Sequence, residues 1–128
     1  MRFTFATALI SIQLVPLFGQ LPDGEYRYRS NNSDAVGQIL LLRKVRNRVV
    51  GAEVSSGRDS SNRSCFEGAI QRNSIVQATY IAAPYTPDAH QHYQPGLAID
   101  LSYYQLQPEV LSQSERFTLL TCVEVFSR

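Results

Sequence analysis

Apolar and polar residues alternate, or form short apolar runs, along most of this chain. Tyr26 and Tyr28 share one face of residues 25–29, and charged residues occupy the other face, as in a half-buried β-strand. Similar segments follow at residues 37–44, 48–55, 65–71, 74–82 and 97–105. The pattern predicts a mainly β protein, an antiparallel meander that forms a small barrel or sandwich.

Turn-forming residues separate these segments. Leu21-Pro22-Asp23-Gly24 precedes the first strand, because proline fixes φ and glycine permits a chain reversal. Arg46-Asn47 and Arg72-Asn73 lie between neighbouring apolar segments and predict two hairpins.

The C-terminal segment fits two structures. Ser112 and Glu115 match a helix capping box, and apolar residues follow at helical spacing up to Phe126. Residues 117–125 also alternate between apolar and polar, with the β-branched side chains typical of a strand. A short helix that packs through Cys122 against the sheet is the favoured interpretation, and a final strand is the alternative.

The N-terminal segment resembles a secretory signal. Met1-Arg2 precedes a mostly apolar run over residues 3–18, which is shorter than the ~20 residues of a membrane-spanning helix. We therefore predict a signal peptide at residues 1–20 and one β-rich domain at residues 21–128. An uncleaved anchor or a buried first helix is the alternative. The mature chain is predicted to be secreted or periplasmic, with no transmembrane segment.

Cys65 and Cys122 are the two cysteines of the chain. In an exported protein an even number of cysteines favours a disulfide, so we predict that this pair is bonded. Two buried thiols in a cytosolic protein are the alternative. Neither residue belongs to a Cys-x-x-Cys motif, so a metal or dithiol redox site has no support here.

Three stretches of the sequence resemble an uncharacterised family of small secreted proteins from cyanobacteria. They are Leu21-Pro22-Asp23-Gly24-Glu25-Tyr26-Arg27-Tyr28, Leu42-Arg43-Lys44 leading to Asn47-Arg48-Val49-Val50-Gly51, and Cys65-Phe66-Glu67-Gly68. These motifs are mostly turn glycines and strand aromatics, which report fold more than chemistry. The resemblance implies an exported bacterial protein with a small antiparallel β domain, and it supplies no catalytic residue.

The charges of the chain nearly cancel, with 12 Lys and Arg against 11 Asp and Glu. A near-neutral protein has no overall field that attracts polyanions, so no nucleic-acid partner is expected. Arg43, Lys44, Arg46 and Arg48 concentrate positive charge on one predicted hairpin. We interpret them as a charged hairpin end that discourages edge-to-edge association.

The segment between the fifth and sixth predicted strands is the first candidate site. It is rich in proline and tyrosine, and long connections of this kind in compact domains often bind ligands. His90 and His92 have the spacing of two ligands to one metal, but a third strong ligand is missing nearby, so no metal or cofactor is predicted. The predicted ligand-binding residues are Tyr85, Asp88, His90, His92 and Tyr93.

A second candidate is a pair of carboxylates, Glu53 and Glu67, on strands that are predicted to be neighbours. If the two side chains lie opposite each other, they have the composition of a glycoside hydrolase site. The alternative is that both point outward and meet arginines.

The best reading of the sequence is a non-enzymatic secreted or periplasmic binding module whose ligand is unknown. Common motifs for nucleophilic, phosphate-binding and zinc-dependent chemistry are absent from the sequence. The alternatives are a small hydrolase that uses Glu53 and Glu67 or the histidines His90 and His92, and a structural protein of the cell envelope.

Overall fold

The computed structural model of the chain describes residues 16–31, 37–56, 63–82 and 93–127. Within these ranges lie seven strands, one α-helix and two 3₁₀ turns. The strands are β1 (Gly24–Ser30), β2 (Gly37–Val45), β3 (Arg48–Ser56), β4 (Arg63–Gln71), β5 (Ser74–Ala82), β6 (Gln94–Asp100) and β7 (Tyr104–Gln107). The helix is α1 (Gln113–Val125), and the 3₁₀ turns are Phe18–Gln20 and Leu101–Tyr103.

The strands form one antiparallel sheet in the order β6-β5-β4-β3-β2-β1-β7. This confirms the predicted mainly β, antiparallel meander. The sheet is neither a closed barrel nor a sandwich of two sheets, because the described strands belong to a single sheet whose edge strands, β6 and β7, are not paired with each other. In place of the predicted barrel or sandwich, the strands form a curled sheet with an open seam.

The chain itself forces this curl. The two edge strands are consecutive in sequence, and only the 3₁₀ turn Leu101–Tyr103 separates them. An extended chain from Asp100 to Tyr104 spans at most about 14 Å. The sheet must bend until its edges approach within that distance, and the bend gives it an inward and an outward face.

The single predicted strand at residues 97–105 is interrupted at this seam. The Asp100 carboxylate accepts a hydrogen bond from the Ser102 N–H at 2.9 Å, and this local bond ends β6. Leu101 remains buried, whereas Tyr103 is 70% exposed. The alternation of apolar residues in this segment is real, but the hydrogen bond at Asp100 divides it into two strands, β6 and β7, at opposite edges of the sheet.

The inward face of the sheet carries an aromatic core. The β1 tyrosines pair with β2 leucines, Tyr26 with Leu42 and Tyr28 with Leu40, as their alternation predicts. Phe66 takes the space that a side chain at position 51 would fill: a Cβ on Gly51 would lie 2.7 Å from Phe66 Cε1. The buried members of this core are Phe18, Tyr28, Leu40, Leu42, Val49, Phe66, Ile75, Ala78, Ile99 and Leu101.

The outward face is covered by α1. The Ser112 side chain accepts from the Glu115 N–H at 3.1 Å, and the Glu115 carboxylate accepts from the Ser112 N–H at 2.9 Å. This is the predicted capping box, and it confirms the helix over the alternative strand. The buried residues between helix and sheet are Leu41, Ala52, Cys65, Ile81, Leu111, Leu119, Cys122 and Val125.

The predicted disulfide joins this helix to the sheet. Cys65 of β4 and Cys122 of α1 are bonded, with their Cα atoms 5.2 Å apart and a sequence separation of 57. In the chain-entropy model, closing a loop of this length stabilises the fold by about 4 kcal/mol. Ion pairs flank the same interface, from Arg27 to Glu115 at 2.9 Å and from Arg116 to Glu25 at 3.0 Å.

The folded domain includes residues before the predicted boundary at position 20. Phe18 has no exposed surface, and its ring packs edge-on against Tyr26 and Tyr28 at 5.9 Å. The Phe18 N–H donates to the Asn73 side chain at 3.0 Å, and the Gly19 N–H donates to the Arg72 carbonyl at 2.8 Å. Cleavage near Gly19-Gln20 would separate Phe18 from the core that it fills, whereas residues 1–15 lie outside the described part.

Candidate functional site

Most of the first predicted site lies outside the described residues. Tyr85, Asp88, His90 and His92 belong to the connection between β5 and β6 that the structure does not describe. Tyr93 is described: it is 49% exposed and its ring lies edge-on to Phe126 at 6.2 Å. Its contact is with the end of the helical segment, on the outward side of the sheet.

The structure does not bring Glu53 and Glu67 together. The β3–β4 register pairs Glu53 with Ser64 and Glu67 with Val50. Since side chains alternate along a strand, this register places the two carboxylates on opposite faces of the sheet. Glu67 points outward and forms an ion pair with Arg48 at 2.5 Å. The two residues therefore do not form the carboxylate pair that the hydrolase alternative requires.

The positively charged residues of the β2–β3 hairpin also lie in different parts of the structure. Lys44 lies on the inward face and is 5% exposed, whereas Arg48 meets Glu67 on the outward face. The Arg46 N–H donates to the Asp23 carboxylate at 2.8 Å, within the turn. These residues therefore form no single basic surface.

One end of the inward face is closed by what we call the Lys44 clamp. The Lys44 ammonium donates to the backbone carbonyls of Phe18, at 3.0 Å, of Gly19, at 3.2 Å, and of Leu21. It also lies 5.5 Å from the centre of the Phe18 ring. An ammonium group has three donors, so every donor of this buried cation has a partner.

Glu53 occupies the other end of the same face. It pairs with Leu40 across β2 and β3, and Leu40 is part of the inward core. Lys44 pairs with Val49, four positions before Glu53, so about 13 Å of strand separates the two charged residues. Leu42 and the Phe66 ring fill the space between them, so apolar side chains separate the Lys44 ammonium from the Glu53 carboxylate.

Two tyrosines accompany Glu53. Tyr80 of β5 and Tyr104 of β7 are both partly buried and pack against the inward core. The Tyr80 ring lies 5.2 Å from the Phe66 ring, and the Tyr104 hydroxyl donates to the Gln38 side-chain carbonyl at 3.2 Å. We call Gln38, Glu53, Tyr80 and Tyr104 the Glu53 cluster.

The protonation equilibria of the Glu53 cluster reflect its burial. Burial raises the pKa of Glu53 above its usual range, because the ionised carboxylate loses hydration. Burial also raises the pKa values of Tyr80 and Tyr104, and the negative charge of Glu53 contributes to both shifts. The charge of Glu53 therefore acts on both phenols.

The Glu53 carboxylate differs from the other partly buried glutamates of the described residues, Glu25, Glu67 and Glu115, because each of those forms an ion pair with an arginine. Within residues 16–31, 37–56, 63–82 and 93–127, neither Glu53 nor the Tyr80 hydroxyl has a hydrogen-bond or ion-pair partner. A half-buried carboxylate without a partner is costly, and groups with perturbed pKa values concentrate at functional sites.

An open cleft is lined by two members of the Glu53 cluster, Gln38 and Tyr104, whereas Glu53 and Tyr80 are not among its lining residues. It has a volume of about 470 Å³ and is lined by Ser30, Asn31, Gln38, Tyr103 and Tyr104. A second groove, of about 550 Å³, follows the seam of the sheet and shares Tyr104 with the first. Both volumes lie in the range that accommodates small molecules.

Comparisons with protein-family models, with curated proteins and with solved structures find no match to this chain. Among the described residues, no group of three or more His, Cys, Asp or Glu side chains is placed to hold a metal ion. None of the helices described here has the length and apolar character needed to cross a bilayer.

The sequence analysis selected Glu53 as a candidate site residue but paired it with Glu67, which lies on the other face of the sheet. Tyr80 and Tyr104 were missed because they lie on strands far from β3 in sequence, and only the register and the curl of the sheet bring them to one face. The sequence did contain one usable signal. Glu53 interrupts the apolar inward pattern of β3, with Val49 and Gly51 preceding it at alternate positions.

Proposed function

We propose that the protein is a non-enzymatic binding module, secreted or periplasmic, that holds a small ligand at the Glu53 cluster. The disulfide between Cys65 and Cys122 suits an oxidising compartment, and the N-terminal sequence pattern suits export. The proposal retains the function class predicted from the sequence and moves its site from the β5–β6 connection to the inward face of the sheet.

The observation that carries the proposal is the contrast, on the same face, between a fully paired base and an acid that has no partner among the described residues. Lys44 donates to three carbonyls and completes the fold. Glu53 contributes no such contact within the described residues, although its burial makes its ionised form costly. A ligand that pairs with the carboxylate would offset this cost, and this supports a binding site at Glu53.

Binding is favoured over hydrolysis by the arrangement of the acids. Hydrolysis by a carboxylate pair needs both groups in one cleft, where they flank the scissile bond about 5–10 Å apart. Glu67, the predicted second acid, lies on the other face of the sheet and is paired with Arg48. Glu53 is left with two phenols and an amide, which suit recognition more than acid–base chemistry.

Nuclear magnetic resonance of the labelled, disulfide-bonded protein tests this proposal. The protein is titrated with small molecules of four chemistries: organic ammonium ions, neutral sugars, amides and carboxylates. We expect at least one class to shift the side-chain resonances of Glu53, Tyr80 and Tyr104 saturably. The shifts should disappear in Glu53→Gln and persist in Glu67→Gln, the matched control on the outward face.

Two results would overturn the proposal. If no class of molecule shifts these resonances, the inward face is not a binding site, and a structural role becomes the better account. If a molecule that binds at the Glu53 cluster is converted to a product, and Glu53→Gln stops the conversion, the protein is an enzyme.

A further inference from the structure

We infer that the Glu53 cluster binds an organic cation, an ammonium head group seated between the carboxylate of Glu53 and the rings of Tyr80 and Tyr104. This inference rests on the proposed function and names the ligand class of the same site. It combines one acidic group and two aromatic rings on the same end of the inward face.

The charge of the site selects a cation. Glu53 brings one negative charge, and no described cation neutralises it: Lys44 is bound to backbone carbonyls about 13 Å away along the strands. An anionic ligand would meet this charge with repulsion, and a neutral ligand would leave the carboxylate uncompensated. A cation supplies the missing partner in a partly buried setting, where the interaction is stronger than in water.

The aromatic rings select an organic cation over a metal ion. A Ca²⁺ ion takes six to eight oxygen ligands, whereas the described residues place only one carboxylate here. The faces of tyrosine rings attract ammonium groups, and carriers of quaternary ammonium are commonly recognised in this way. Tyr80 is held in place by Phe66 and Tyr104 by its bond to Gln38, so both rings are positioned before a ligand arrives.

The protonation of the cluster supports the same ligand class. Burial raises the pKa of Glu53, and a bound cation would lower it again because it stabilises the ionised form. Among the described residues, the titratable groups that interact with Glu53 are the phenols of Tyr80 and Tyr104, whose pKa values are also raised, so both remain neutral at physiological pH. Glu53 is therefore the group whose charge governs cation binding in weakly acidic solution.

A pair of probes that differ only in charge tests the inference. Choline carries a quaternary nitrogen, and 3,3-dimethylbutan-1-ol has the same shape with a neutral carbon in its place. Titration of the disulfide-bonded protein, followed by its side-chain resonances, should give saturable choline binding at the Glu53 cluster. The neutral analogue should bind at least about tenfold more weakly, since it lacks both the ion pair and the cation–π attraction.

Four variants separate the contributions. Glu53→Gln should weaken choline binding at least about tenfold, because it removes the charge and keeps the shape. Tyr104→Leu should weaken it by about threefold or more, whereas Tyr104→Phe retains the ring and should bind within about twofold of the unaltered protein. Glu67→Gln should bind choline unchanged, and lowering the pH towards 4.5, the usual value of a glutamate, should weaken binding in all variants except Glu53→Gln.

The failure of this inference is distinguishable from failure of the proposed function. If the neutral analogue binds as tightly as choline, or only sugars or amides shift the cluster, the site binds ligands but not as a cation site. If choline binding is unchanged in Glu53→Gln, its site lies elsewhere, and the inference is also overturned. If no small molecule shifts these resonances at all, the proposed function fails with it.

Discussion

The two ends of the inward face differ in whether their buried charged group has hydrogen-bond partners. At one end the Lys44 ammonium donates to the carbonyls of Phe18, Gly19 and Leu21, and Phe18 fills the core beneath it. At the other end the Glu53 carboxylate lies beside two phenols, without a partner in the described part of the chain. A paired buried charge helps to specify a fold, whereas an unpaired one lowers stability unless something binds to it.

This difference separates a charged residue that the fold itself uses, Lys44, from the one that we propose binds a ligand, Glu53. Along the sequence, Lys44 belongs to a basic hairpin that we interpret as a charged hairpin end, and Glu53 belongs to an acidic pair that suggests chemistry. In the folded sheet, Lys44 has become a structural residue and the acidic pair is split between two faces. The satisfaction of hydrogen bonds separates the two roles better than residue type does.

Removal of the N-terminal residues is expected to have the largest effect. A chain that begins at Leu21 lacks Phe18 and two of the three Lys44 acceptors, whereas a chain that begins at Pro16 keeps them. Loss of a buried phenylalanine alone costs about 3–5 kcal/mol, so the shorter chain should be less stable by at least about 4 kcal/mol, or unfold.

Urea unfolding of the two chains measures this difference. Phe18→Ala in the longer chain is the control, because it removes the ring and keeps the backbone carbonyls, and it should cost less than the truncation. Equal unfolding midpoints for the two chains would show that the Lys44 clamp contributes nothing to the domain.

Substitution of each charged residue by a neutral one of similar size compares the two ends directly. Lys44→Met leaves three backbone carbonyls without their donor and should cost about 3 kcal/mol. Glu53→Gln at pH 7 should leave the free energy of unfolding unchanged or increase it, because it removes an ionised group without a described partner. Chemical denaturation of both variants gives the answer, and an equal loss in both would remove the distinction between the two ends.

The predictable part of this architecture is local. The alternation around Tyr26 and Tyr28, the turns at Arg46-Asn47 and Arg72-Asn73, and the Ser112–Glu115 capping box all depend on neighbouring residues. Each is specified by backbone geometry within a few positions, so the strands and the helix appear nearly where the sequence placed them.

The unpredicted part depends on register and curvature. Whether Glu53 faces inward is decided by its pairing with Leu40 and Ser64, and a shift of one residue would reverse it. Tyr104 reaches the Glu53 cluster only because Asp100 ends β6 and the chain crosses to the opposite sheet edge. The open seam was missed for the same reason, since a closed barrel has the same strand pattern in sequence.

A smaller loss of stability is expected from a substitution at Gly51, which lies between Lys44 and Glu53 on the inward face. A methyl group at position 51 would lie 2.7 Å from Phe66 Cε1 and 2.8 Å from Leu42 Cδ2. Gly51→Ala should therefore destabilise the protein by about 1–3 kcal/mol through overpacking. Thermal unfolding measures the loss, and adding Phe66→Leu should recover part of it. Strictly additive losses in the double variant would contradict the direct contact.

The smallest expected effect is on the pH dependence of stability. Because the pKa of Glu53 is raised, its ionisation costs stability as the pH rises from about 4.5 through the folded-state pKa. Glu115 behaves in the opposite way. Burial raises its pKa, but hydrogen bonds from the Ser112 N–H and Arg27 outweigh this and lower the pKa, so its contribution is lost as the pH falls below 4.5.

Melting temperatures between about pH 3 and pH 7 distinguish the two glutamates. Relative to the unaltered protein, Glu53→Gln should gain stability as the pH rises, and Glu115→Gln should lose it. Parallel curves for the two variants would contradict the assignment of opposite shifts.

A carbon-13 titration of the Glu53 side-chain carboxyl in the folded, ligand-free protein measures directly whether this acid is buried without a partner. If Glu53 is a half-buried acid without a partner, its resonance should titrate with a pKa clearly above 4.5. A pKa at or below 4.5 would mean that the carboxylate is hydrated or already paired, and Glu53 would then be as structural as Lys44.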